Sequence, residues 1–167
     1  KLGLTSKEVA AGMEAVRPVA GRMNLLRGLQ ESMIIDDTYN SSPAAAVSAI
    51  QTFFGMEAPQ RIAIMGSMNE LGDYTVEAHK AIGASLDPSK IALVVTIGVD
   101  AQNYLAPLAK ENGCMVESFL NPRQAGEYVK QQLHTGAVVL FKGSQNGVFA
   151  EEPIKPLLQN PVDAGRL

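Results

Sequence analysis

The run Ile91-Ala92-Leu93-Val94-Val95-Thr96-Ile97 constrains this chain more than any other stretch. Successive side chains of a strand point to opposite faces, and here both faces are apolar, so the strand must be covered on both sides. Parallel sheets meet that demand, because each crossover between parallel strands lays a helix on a face. Met33-Ile34-Ile35, Arg61 to Met65, Met115 to Phe119 and Ala137 to Phe141 read as further strands. Helical periodicity separates them. Ala44, Val47, Ile50 and Phe54 mark one helix face, and Ala78, Ile82 and Leu86 mark a second in a helix over 77–86. Tyr104, Leu105 and Leu108 mark a third, with Asp100 as its cap, and Ala125, Tyr128, Val129 and Leu133 a fourth.

Strand then helix, repeated along the chain, predicts an α/β fold: a doubly wound, Rossmann-like, mostly parallel sheet with helices on both faces. Gly21 to Gly28 and Ser32 to Asp37, joined by a turn around Gly28 to Glu31, add one antiparallel edge strand. Residues 1–20 read differently. Thr5 and Glu8 have capping-box spacing, Val9, Ala10, Met13 and Val16 repeat at helical spacing, and Arg17-Pro18 ends the helix before a linker at Val19 to Gly21. This predicts the last helix of a preceding domain in residues 1–20, followed by the domain proper in 21–167, so that the chain is a fragment of something longer. Val148 to Glu152 can start a helix, but Pro153 and Pro156 are not expected to share one.

Composition removes several function classes. A net charge of −3 gives no support for a nucleic-acid-binding face. No apolar run approaches the ~20 residues of a membrane span, and no leader segment opens the chain. The single cysteine, Cys114, excludes an internal disulfide, fits a reducing cytoplasm, and reads as a buried inert thiol.

The candidate site residues cluster after the strands, where open α/β sheets bind ligands. Asp36 and Asp37 end one strand, and two adjacent carboxylates there must be solvated, capped or bound. In the plain structural reading one caps the next loop and the other faces water; in the functional one an acidic side chain accepts from ribose hydroxyls. Ser42-Pro43 then opens a helix. Gly66-Ser67-Met68-Asn69-Glu70-Leu71-Gly72 follows the next strand, and its glycines let backbone approach a ligand. Neither GxGxxG nor a phosphate-loop lysine motif occurs. Lys142-Gly143-Ser144 ends the last strand, where the lysine either reaches a carboxylate or phosphate or pairs internally with Asp36 or Asp37. Arg22 is either a plain surface arginine or a contact to a shared ligand. His79 reads as a surface histidine, His134 as a helix-end histidine, and Asn121-Pro122-Arg123 as a helix cap. Neither histidine has a second ligand at metal spacing, so no metal site is predicted.

Gly21-Arg22-Met23, Asp36-Asp37-Thr38-Tyr39-Asn40, the Gly66 to Gly72 loop and Lys142-Gly143-Ser144 together resemble the C-terminal domain of the Mur ligase family. The likeness extends over 21–150 and is strongest to the branch that joins D-alanyl-D-alanine to a UDP-muramoyl tripeptide. It implies a cell-wall-precursor ligase that uses ATP and Mg2+, whose phosphate loop and metal ligands belong to a central domain outside this chain. It implies no catalytic residue and no metal ligand in the chain itself. Arg22, Asp37, Tyr39 and Asn40 would lie on the nucleotide side. Ser67, Asn69, Glu70, Lys142 and Ser144 would face the incoming dipeptide. The chain departs from the family at Ser67, where aspartate is usual, at Gln145, where arginine is frequent, and at its two late prolines, which leaves a relative joining a different amino acid or dipeptide as an alternative.

A phospho-acceptor receiver module also carries paired carboxylates and a lysine after its last strand. Against it, Ile97 runs into Gly98-Val99 rather than an acceptor aspartate, and glycine follows Lys142. A dinucleotide-dependent oxidoreductase lacks its glycine fingerprint here. The lid reading requires Arg22, Asp37 and Lys142 to converge on one rim of a single sheet.

Overall fold

A computed structural model describes residues 3–16 and 19–167. Helix α1 (Ser6–Ala15) starts with the expected capping box: Thr5 Oγ1 accepts from the Glu8 N–H while the Glu8 carboxylate accepts from the Thr5 N–H. The break expected at Arg17-Pro18 lies outside the described residues. Val9, Met13 and Val16, spaced along one side of α1 and its end, are all exposed.

Six strands form one sheet: β1 (Asn24–Arg27), β2 (Met33–Asp37), β3 (Arg61–Gly66), β4 (Leu93–Ile97), β5 (Val116–Phe119) and β6 (Val138–Lys142). Their spatial order is β1-β2-β6-β3-β4-β5, with β1 antiparallel at the edge and every other pair parallel. The last strand thus returns to the middle and sets Lys142 beside both Asp37 and Met65.

The helices are α2 (Pro43–Phe54), α3 (Thr75–Ser85), α4 (Ala106–Glu111) and α5 (Pro122–Gln132). One face of the sheet carries α2, α3 and α4, whose Phe53, Ile82 and Ala109 share a core with Ile35, Val94 and Leu140. The other carries α5 and the C-terminal segment, where Val129, Ile154 and Leu157 pack on Ile34, Ile64 and Phe141. β4 is buried at all five residues, as its composition requires.

Three local expectations are corrected. Ser42 and Pro43 do open α2, but its buried face is Ala46, Ala49, Ile50 and Phe53 rather than Ala44, Val47 and Phe54. Four alanines and a phenylalanine pair leave the stripe ambiguous by one residue, and the sheet selects the version that buries Phe53. Asp100 is not a side-chain cap; a π turn over Ala101–Leu105 leads into α4 instead. Pro153 and Pro156 do share one 3-10 helix, Glu152–Leu157. Pro153 sits in its first turn, where no N–H is needed, and the tight, short winding tolerates the second proline. Gly126 of α5 lies against this segment so closely that a Cβ there would fall 2.5 Å from the Pro153 carbonyl oxygen.

Candidate functional site

β2 ends in two carboxylates that strand alternation sends to opposite faces. Asp36, on the α5 side, is fully buried. Its Oδ2 accepts from the Gly21 N–H at 3.0 Å, and its Oδ1 accepts from the Thr38 hydroxyl at 2.6 Å and the Thr38 N–H at 3.3 Å. Burial holds its carboxyl above the usual range, opposed by these hydrogen bonds, while the neighbouring Asp37 charge adds to the rise. Asp37, on the α2 side, accepts from the Met23 N–H at 3.2 Å through Oδ1 and pairs with Lys142 Nζ at 3.1 Å through Oδ2. It therefore does not simply face water. The two carboxylates clamp residues 21–23 from both sides of one strand.

Lys142 is almost wholly buried. Besides the Asp37 carboxylate, its ammonium donates to the Asp37 carbonyl at 3.2 Å and to the Asn40 carbonyl. Those three acceptors use all three of its donors. Burial lowers its pKa, Asp37 opposes that shift by charge and hydrogen bond, and Arg22 reinforces it. Of the two readings of Lys142, the internal ion pair is the arrangement found.

The loop after β3 is held from three directions. Ser67 is buried; its hydroxyl donates to the Ile97 carbonyl at 3.4 Å and accepts from the Ala101 N–H at 3.1 Å. Its hydroxyl thus holds the first N–H of the turn after β4, and the side chain points inward rather than into the cleft. Gly98 makes room for it: its φ is +93°, and a Cβ there would stand 2.6 Å from Ser67 Oγ. The Met68 N–H donates to Nε2 of His79 at 2.9 Å, and His79 Nδ1 lies 2.7 Å from the Thr75 carbonyl oxygen. An amide N–H can only donate, so Nε2 is the acceptor and Nδ1 carries the proton. His79 is fully buried, which overturns its reading as a surface residue. Its sequence signal was position: it follows Ala78 and lies three residues before Ile82 on the inner face of α3.

Asn69 completes the junction. Its N–H donates to Ser144 Oγ at 3.2 Å and its amide donates to the Asn146 carbonyl, while Ser144 donates to Asn40 Oδ1 at 3.5 Å. The loops after β2, β3 and β6 thus meet around one cleft of about 280 Å³. Tyr39, Asn40, Asn69, Ser144 and Asn146 line it, with Gln145 and with Glu70 as the one charged side chain. At its edge the Arg22 guanidinium sits 4.4 Å from the centroid of the half-exposed Tyr39 ring. Arg22, Asp37 and Lys142 do converge on one rim. A somewhat larger hollow, about 340 Å³, opens at the opposite ends of β1 and β2 beside Leu26, Arg27 and Met33. It lies away from the carboxyl ends of the parallel strands, where chemistry is expected. Among the described residues no group of three or more His, Cys, Asp or Glu side chains converges as a metal site would require.

Comparison with known proteins places these features in a family. The Mur ligase, glutamate ligase domain family matches residues 21–145. The UDP-N-acetylmuramoyl-tripeptide–D-alanyl-D-alanine ligase of Bacillus subtilis is 30% identical over 165 residues, covering 96% of this chain and 35% of the relative. The enzyme of that name from Synechocystis is 26% identical over 161 residues, covering 96% and 35%. The crystal structure of MurF from Acinetobacter baumannii superimposes with a TM-score of 0.74 at 24% identity, covering 92% of this chain and 35% of that one. MurF from Thermotoga maritima in complex with ADP gives 0.66 at 25% identity, covering 84% and 33%. The chain spans about a third of the length of the curated relatives it matches.

Proposed function

We propose that this chain, which belongs to the Mur ligase family, works as the C-terminal domain of an ATP-dependent amide ligase joining D-alanyl-D-alanine to UDP-N-acetylmuramoyl-tripeptide. Residues 21–167 form that domain, and residues 1–20 contribute the end of the preceding domain and the linker. The match beginning at Gly21 supports that boundary. The observation that carries the reading is the meeting of the loops after β2, β3 and β6 in one polar cleft at the carboxyl ends of the parallel strands.

In the complete ligase the γ-phosphoryl group of ATP would pass to the tripeptide carboxylate with release of ADP, and the dipeptide amine would attack the acyl phosphate, losing a proton, to give the amide and phosphate, with Mg2+ supplying charge stabilisation. Arg22, Tyr39 and Asn40 fit the nucleoside: the Arg22–Tyr39 stack offers a cation and an aromatic ring at the rim. Asp37 keeps lone pairs beyond its two bonds, so a ribose hydroxyl can still donate to it. Mg2+ is left to the part of the ligase outside this chain. On the amino-substrate side, the carboxylate of Glu70 suits an ammonium, and the groups of Asn69 and Ser144 suit a peptide unit. Ser67 and Lys142 act indirectly, by fixing the loops. Closure of the domain over the site would expel water that hydrolyses an acyl phosphate.

The exposed apolar residues of α1 suit contact with the rest of the ligase chain. We place the enzyme in the cytoplasm from its lone cysteine; no helix among the described residues is long and apolar enough to cross a membrane.

The test is turnover with ATP, Mg2+, the UDP-linked tripeptide and D-alanyl-D-alanine, read as phosphate release and product mass. The intact ligase should form the pentapeptide product and the isolated chain none. Turnover by the isolated chain, or an intact ligase that takes a single amino acid and ignores the dipeptide, contradicts the proposal.

A further inference from the structure

We propose that His79 is a positioning residue for the amino-substrate cleft, setting the loop that carries Asn69 and Glu70 from inside the domain; this rests on the function proposed above. Two consecutive N–H groups of that loop are each held by a side chain from another element. Met68 donates to His79 of α3, and Asn69 donates to Ser144 after β6. Met68 itself is buried, so its N–H must find a partner within the protein. Beyond this point Glu70 and Gly72 take φ values of +62° and +54°. A non-glycine residue adopts such a conformation uncommonly, so the loop has a defined local shape. His79 holds the start of this loop at Met68. It is fully buried, anchored one helical turn back by the Thr75 carbonyl, and held in a single tautomer that leaves Nε2 as an acceptor. It does not itself line the cleft, and its effect is carried through the backbone of residues 68 and 69.

Steady-state kinetics of the intact ligase test this. His79→Leu unpairs the Met68 N–H; it should raise KM for D-alanyl-D-alanine roughly tenfold while kcat and KM for ATP stay within about twofold. His79→Gln, whose Oε1 can accept from Met68, should restore most of the affinity. An unchanged dipeptide KM, or a joint loss of kcat, ATP affinity and thermal stability, overturns the proposal in favour of a purely structural histidine. Should His79→Leu fail to fold, the His79→Gln and His79→Asn pair carries the test. Asparagine is one methylene too short to reach Met68, so equal KM values for the two would refute the role. Long-range 1H–15N spectra of this chain, which has only two histidines, should show His79 protonated at Nδ1 alone, and a proton on Nε2 would contradict it. A ligase that does not use the dipeptide at all refutes the proposed function, and the spectra then judge the His79 contact separately.

Discussion

The two sides of the end of β2 have opposite characters. On the α5 side, Asp36 is sealed in with no cationic partner among the described residues and is satisfied by Gly21 and Thr38. On the α2 side, Asp37 shares a buried lysine and stands beside the open cleft. Adjacent residues of the same type thus do different work. Asp36 fastens the incoming backbone to the sheet, whereas Asp37 and Lys142 shape the loop that borders the cleft. A paired-acid motif at a strand end is therefore two separate devices, because alternation places them in environments of different solvation.

The largest effect is expected from Lys142→Met. Removing one partner of a buried ion pair leaves the other charge uncompensated and should cost about 3 kcal/mol or more, read as a drop in the urea midpoint of unfolding. A loss well below that would mean that water, not Lys142, balances Asp37, and the contrast between the two sides would collapse.

A smaller effect distinguishes the sides by sign. The folded Asp36 carboxyl titrates above its ordinary 3.8. Between those values the folded state keeps a proton that the unfolded chain has released. Its contribution is therefore most favourable below pH 3.8 and is lost as pH rises through the folded value. Lys142 titrates below its ordinary 10.5, so in the window beneath that pH the unfolded chain holds the extra proton and stability rises with pH. Asp36→Asn should flatten the fall above pH 3.8 and leave the alkaline rise intact, measured as urea midpoints across pH. A variant that kept the acid-side slope would show that another carboxyl causes it.

The sequence was most legible where period and burial coincide. The apolar run through β4, the helix stripes of α3 and α5, and the antiparallel β1–β2 edge could all be read from side-chain spacing alone. The rim position of Arg22, Asp37 and Lys142 followed from strand ends. The order of strands did not, because the return of β6 between β2 and β3 is a long-range choice that no local pattern encodes. Nor did the direction of polar side chains at the rim. Ser67 turning inward to Ala101, Lys142 turning back onto the Asp37–Asn40 loop, and His79 reaching Met68 each depend on which backbone group lies nearby in space. A histidine next to a helix's apolar stripe was a readable hint that His79 is interior.

If the Asn69 and Ser144 side of the cleft receives the amino substrate, KM for D-alanyl-D-alanine in the intact ligase carrying Asn69→Ala reports it. Loss of its amide's tie to Asn146 should raise that KM roughly tenfold with KM for ATP unmoved. An unchanged dipeptide KM, or a rise confined to ATP, would contradict it.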